Sequence, residues 1–271
     1  MTGVQTCALP IWVLLLAGLF LPLSCAVAQE TQEKQLPNEL PLANAVSLQD
    51  ADELETAVSF EFLKLPDEKQ TTVTTEFAYG LTSRWELDLD VPYEFVKSNH
   101  VHAVDGIGDV EVDVRYGVVP VTNQPFAVTA GLGFGIPTGD SVRGLGEGRL
   151  TLEPFVTAST TWFGLFDVEF TCGWRRAVTN GGDEPRDDLE YNIAITRSIG
   201  DWYLTLEGNG ESNRDRTLYT VAPGLIWNQS DTLQFALAIP IGVTHESADY
   251  GVVVSVTLEW EHVTHRSPDR D

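Results

Sequence analysis

The chain has 271 residues, 43% apolar and 10% aromatic, and its 40 acidic against 16 basic side chains leave a formal net charge of −24. A surface this acidic repels phosphate backbones, which excludes nucleic acid as a partner. A mean hydropathy of −0.05 excludes a polytopic helical membrane protein, and after Glu30 no stretch reaches the ~18 consecutive apolar residues of a transmembrane helix.

The one long apolar run, Ile11 through Leu23, is followed by Ala26-Val27-Ala28. That order predicts a signal peptide over residues 1–28, with Ala26 and Ala28 as the small residues of the cleavage site. Pro22 argues against a buried N-terminal helix in the same place. Met1 to Ala28 carry no Lys or Arg, and the opening MTGVQTCALPI resembles translated sequencing-adapter sequence, so it is set aside from fold reasoning as an artefactual fusion. Cys25 follows Pro22-Leu23-Ser24, a poor lipobox. With Cys7 and Cys25 in the leader, Cys172 is the one cysteine of the mature chain and no intramolecular disulfide can form. It falls in an apolar column with Phe166, Val168, Phe170 and Trp174 and reads as a small hydrophobe. Residues 29–53 are polar and contain Pro37 and Pro41. They are expected to be a periplasmic lead-in, with a segment folded into a barrel as the alternative.

From Leu54 onward the dominant signal is alternation. In Trp85-Glu86-Leu87-Asp88-Leu89-Asp90-Val91 one face of a strand is apolar and the other acidic. Val110, Val112, Val114 and Tyr116 likewise oppose Asp109, Glu111, Asp113 and Arg115. Phe166, Val168, Phe170 and Trp174 oppose Asp167, Glu169 and Arg175; Leu189, Tyr191, Ile193 and Ile195 oppose Glu190, Asn192 and Thr196. The last strand sets Val254, Val256, Leu258 and Trp260 against Ser255, Thr257, Glu259 and Glu261. The pattern predicts strands near 54–64, 70–79, 85–96, 108–119, 125–136, 150–162, 165–176, 188–199, 202–210, 217–227, 233–242 and 251–261. Charged groups this numerous cannot face lipid, where a basic side chain at mid-membrane costs about 2–4 kcal/mol and an acidic one less. They are expected to face an interior.

Connections at 80–84, 120–124, 163–164, 200–201 and 228–232 are tight, while those at 97–107, 137–149, 177–187, 211–216 and 243–250 are longer and polar. Only 65–69 is short where a long one is due. Transmembrane barrels have short periplasmic turns and long outer loops. Trp85, Trp162, Trp202, Trp227 and Trp260 fall beside the tight turns, as an aromatic girdle requires. The three regularities predict an all-β fold, an antiparallel transmembrane β-barrel of about twelve strands over 54–262, with a polar tail at 263–271. Pro92, Pro154, Pro223 and Pro240 fall inside the predicted strands, and Arg197 on an apolar face. Each is a local conflict with that reading.

The expected lumen lining is Arg84, Glu86, Asp88, Asp90, Asp109, Glu111, Asp113, Arg115, Glu169, Arg175, Glu190 and Glu259. Six of these carboxylates with Arg115 lie on one predicted hairpin, which reads either as a cation-favouring wall or site, or as a solvated lumen carrying a structural charge network with Arg84, Arg115 and Arg175. Gly131-Leu132-Gly133-Phe134-Gly135 lacks the Lys-Ser/Thr of a phosphate loop and reads as close interior packing. His100 and His102 near Asp105 have ligand-like spacing, but no other His lies near in sequence, so no metal is expected. His245, Glu246 and Ser247 are adjacent in one loop without a G-x-S-x-G elbow, and no enzyme is expected.

Tyr79 to Phe95 (YGLTSRWELDLDVPYEF), Asp105 to Val119 (DGIGDVEVDVRYGVV) and Gly131 to Asp140 (GLGFGIPTGD), with Leu42-Ala43-Asn44-Ala45 upstream, resemble the outer-membrane family named for the meta-pathway of phenol degradation. From Leu150 onward only the strand-turn rhythm matches. The resemblance implies a barrel that passes hydrophobic or aromatic compounds. The reading is therefore a monomeric outer-membrane channel of a Gram-negative bacterium for passive uptake of small solutes. It needs no cofactor, and its partners are membrane lipid, solute and the barrel-assembly machinery. A non-conducting structural or adhesion barrel and a secreted soluble β-sandwich are the alternatives.

Overall fold

The computed structural model describes residues 37, 39–98, 102–121, 126–179, 187–261 and 263. The expected leader with Ala26 and Ala28, Cys7, Cys25, His100 and nearly all of the polar tail lie outside the described residues. Fourteen strand segments run in chain order: β1 Leu54–Lys64, β2 Glu68–Thr82, β3 Trp85–Ser98, β4 Val104–Ile107, β5 Val110–Val119, β6 Phe126–Ile136, β7 Thr151–Trp162, β8 Phe166–Ala177, β9 Asp187–Ile199, β10 Trp202–Ser212, β11 Thr217–Ser230, β12 Leu233–Ala238, β13 Ile241–Gly242 and β14 Tyr250–Trp260. β4 and β5 both pair with β3, and β12 and β13 both pair with β11 and β14, so each couple is one interrupted strand and the chain crosses twelve times. Every neighbouring pair is antiparallel. The barrel closes where β1 meets β14 in continuous register from Leu54↔Trp260 to Lys64↔Tyr250. Closure removes both sheet edges and overturns the β-sandwich alternative.

Alternation sorts the faces as the sequence predicts. Leu87, Leu89, Phe170, Trp174, Leu189, Ile193, Val254 and Leu258 are exposed on the outside, while Glu86, Asp88, Asp167, Glu169, Asn192, Thr196, Ser255 and Thr257 are buried inside. Cys172 points outward beside Val156 and Tyr191. The five tryptophans beside the tight turns are all exposed, and several are joined across strands. Trp202 and Trp227 face each other in register with stacked rings 5.4 Å apart, and Trp85 lies 4.7 Å from Tyr116.

The local conflicts have local solutions. Arg197 lays its guanidinium over the Phe166 ring at 5.5 Å, so its charge is held by an aromatic face. Pro92 sits opposite the break between β4 and β5, where Gly108 N–H donates to its carbonyl at 3.0 Å. Pro154 faces a two-residue gap in the β7–β8 ladder, between Leu152↔Arg176 and Phe155↔Gly173. Pro223 and Pro240 share one interruption, the gap between β12 and β13. There Ile239 donates to the Pro223 carbonyl at 3.0 Å and Gly251 to the Pro240 carbonyl at 2.7 Å. Pro92, Pro223 and Pro240 thus each remove one donor while the carbonyl stays paired.

Candidate functional site

Residues 39–50 thread the inside of the barrel at the tight-turn end, so this part of the expected lead-in is an internal plug, the alternative placement. A segment without strand or helix of its own brings unpaired backbone groups into a confined space, and each needs a partner. Buried wall glutamates supply them. Leu42 N–H donates to Glu207 Oε2 at 3.1 Å, Val46 N–H to Glu169 Oε2 at 2.7 Å, and Gln49 N–H to Glu86 Oε2. The plug's carbonyls are met as well: Arg115 donates to those of Ala45 and Ser47, and the Thr129 hydroxyl to that of Val46 at 2.8 Å. Where the plug begins, Gln234 donates to the Glu39 carbonyl at 3.3 Å and Thr257 to the Glu39 carboxylate at 2.7 Å.

Arg115 holds this arrangement together. Its guanidinium lies 2.7 Å from Glu86 and 3.6 Å from Asp88 while it binds the plug, so one buried cation serves two wall carboxylates and two backbone carbonyls. The apolar plug residues pack on small and apolar wall residues from β9 to β14. Leu40 packs with Ala194, Tyr203, Ile226 and Ala236, and Leu42 with Ala222, Ala238 and Val253. Small residues make the space: a Cβ on Gly131 would lie 2.1 Å from the inward Phe155 ring, and one on Gly80 would lie 1.9 Å from the Asp50 carbonyl as the plug leaves. The β6 glycines therefore serve interior packing.

Beyond the plug the lumen is acidic. The register sets Glu76, Asp90 and Glu111 side by side across β2, β3 and β5, and Asp88 opposite Asp113. Like charges directly opposed destabilise a sheet, and the counter-charge is sparse. Arg175 is shared by Glu153 at 3.0 Å, Glu190 at 3.2 Å, Glu111 at 3.6 Å and Glu147 at 3.8 Å. Glu147 reaches it from the 137–150 connection, which is fixed against the wall. Asp109 accepts from Gly139 N–H at 2.9 Å and Glu147 N–H at 2.6 Å, and Leu145 is fully buried. Cavities of about 580, 330 and 150 Å³ lie above the plug among the described residues.

Of the predicted lining, Glu86, Asp88, Arg115 and Glu169 are at the plug, and Asp90, Asp109, Glu111, Asp113, Arg175 and Glu190 border the cavities. Glu259 lies on the inward face near the tight-turn end, beside Glu55 in register. Arg84 does not line the lumen: it occupies the two-residue turn between β2 and β3 and is exposed, because the alternation of β3 begins only at Trp85. Glu61, Glu76, Glu153 and Glu207 were missed, although each shares the parity of inward neighbours in its strand; the signal was present but uncounted. Ser247 is held by Tyr219 backbone at 3.0 Å and by the Thr244 hydroxyl at 2.7 Å, which makes it a loop fastener, and His245 beside it is exposed. His102 is exposed, and Asp105 accepts from the Tyr93 hydroxyl at 2.7 Å.

These features define a closed twelve-stranded antiparallel transmembrane barrel. An outer membrane channel from Pseudomonas putida F1 has a similar structure, with a TM-score of 0.65 at 12% identity, over 79% of this chain and 98% of that one. The NanC porin is similar with a TM-score of 0.54 at 11% identity, over 76% of this chain and 98% of that one. The KdgM porin follows with 0.52 at 10% identity, over 74% and 98%. No protein-family model and no curated protein matches the sequence. At these identities the likeness is one of fold.

Proposed function

We propose that the protein is a channel of a Gram-negative outer membrane, inserted after removal of its leader, through which small solutes, hydrophobic or aromatic compounds among them, pass passively. One observation carries the reading: a closed barrel with an apolar exterior encloses a polar lumen that holds cavities away from the tight turns and is filled by residues 39–50 toward them. Twelve strands fall between the side-chain-filled eight-stranded barrel and the open sixteen-stranded pore. The segment 39–50 therefore sets the aperture. The resemblance of Tyr79–Phe95 and its companions to the phenol meta-pathway family supports aromatic solutes as the class. Lipid and the barrel-assembly machinery are the partners such a barrel needs.

The extent of the plug favours one rival, a structural or adhesion barrel that does not conduct. Single-channel recording in planar bilayers separates the two, using the native protein and a variant lacking residues 37–50. A channel shows discrete conductance that rises severalfold in the variant and is blocked by aromatic solutes. Absence of conductance from both proteins, each with a correctly folded barrel, rejects the channel.

A further inference from the structure

The cavity of about 580 Å³ has the Leu42, Ala43 and Asn44 stretch of the plug as its floor. Its wall changes character over three neighbouring strands. Glu190 of β9 and Glu211 of β10 face each other in register, Asn192 and Asn209 form the pair below them, and Glu211 is directly opposite Leu218 of β11. Pro240 continues the apolar side. An acidic end and an apolar end thus lie within the reach of one small molecule.

The acidic end is short of donors. Among the described residues Glu190 has only a share in Arg175, which three further carboxylates divide, and Glu211 is paired with Arg216 at 3.1 Å. Asn192 lines the cavity and is 8% exposed; its amide N–H₂ donates to Asn209, and its buried Oδ1 has no partner among the described residues. A buried acceptor left without a donor costs about 1–3 kcal/mol, so the site gains most from a guest that donates. Leu218, Leu42 and Pro240 then discriminate among donors. A hydrated inorganic ion gains nothing from them, whereas an ammonium carrying an aryl or alkyl body satisfies both ends.

We infer that this cavity binds compact organic ammonium ions, the ammonium held between Glu190, Glu211 and the Asn192 carbonyl oxygen and the apolar body laid against Leu218, Leu42 and Pro240. The volume lies within the range of about 300–1,000 Å³ of small-molecule pockets. The inference rests on the channel reading only in naming a solute class for it; occupancy itself needs no conduction.

The test is calorimetric titration of the full chain in detergent micelles with phenethylammonium chloride and with its neutral analogue 2-phenylethanol. Retained heat-modifiable migration on gels certifies each barrel. Saturable ammonium binding about tenfold tighter than alcohol binding is expected, with about a fivefold or greater loss in Glu190→Gln and in Asn192→Leu. Glu61→Gln removes an equal charge from the β1 side of the same cavity and is expected to change affinity less than about twofold. Equal affinity for amine and alcohol, no saturable binding, or equal losses in Glu61→Gln and Glu190→Gln overturns the inference, the last because it would mean general attraction by an acidic lumen. Binding without conductance sinks the channel reading and leaves the site; conductance without binding does the reverse.

Discussion

From β2 to β10 the inner wall carries Glu76, Glu86, Asp88, Asp113, Glu153, Glu169 and Glu207, whereas from β11 to β14 it carries Ala222, Ile226, Ala236, Ala238 and Val253, with Gln234, Thr257 and Glu259 toward the tight-turn end. Both sectors hold the same plug, by opposite means. The acidic sector binds its backbone through hydrogen bonds to carboxylates that fix position, and the small-residue sector, with Ala194 and Tyr203 at its border, buries its leucines through contact that excludes water while Gln234 and Thr257 hold Glu39. The difference shows how a structureless segment can be held firmly inside a barrel: polar groups set the register and apolar side chains add area.

The comparison breaks most completely at Arg115. Arg115→Leu strands Glu86 and Asp88 and releases the Ala45 and Ser47 carbonyls, and loss of one partner of a buried ion pair costs about 3–5 kcal/mol. Urea unfolding in micelles, followed by tryptophan fluorescence, should show that loss, and a shift under about 1 kcal/mol would deny Arg115 its central place. On the apolar side, Leu40→Ala should cost about 2–3 kcal/mol at a site already lined by alanines that cannot collapse into the void. Its signature is faster proteolysis within residues 39–50 while the barrel stays intact. Glu169→Ala leaves the Val46 N–H without its acceptor, for about 1–3 kcal/mol, whereas Glu169→Gln keeps an acceptor and should cost less than half of that. Equal effects of the two variants in the same proteolysis assay would show that the acceptor is not what matters. The smallest effect is expected at Pro223→Ala. The restored N–H gains one ladder bond with Ile239 and the unfolded chain gains freedom, and the two nearly cancel to within about 1 kcal/mol.

Particular residues show how much was legible in the sequence. The strand Trp85–Ser98 could be read with its faces, because a period of two needs no knowledge of neighbours, and the tight turns with their tryptophans marked one end of the barrel. Arg84 was misread by one position, since a turn ends the alternation and turn geometry is not carried by periodicity. Glu207 went unnoticed because Thr205, Glu207 and Asn209 repeat inward on a strand whose glycines blur the pattern. The prolines looked like four separate conflicts. Pro223 and Pro240 proved to be one, since only register brings them into the same gap.

Composition and alternation alone determined that this chain forms an antiparallel barrel with lipid outside and charge inside, because side-chain direction along a strand is a local property of the backbone. The fate of residues 39–50, the sharing of Arg175 among four carboxylates and the meeting of Glu190, Asn192 and Leu218 at one cavity were decided by tertiary structure. Each depends on which strands are neighbours and in what register, and on a closed wall that brings positions more than a hundred residues apart within hydrogen-bonding distance, as in Val46 and Glu169.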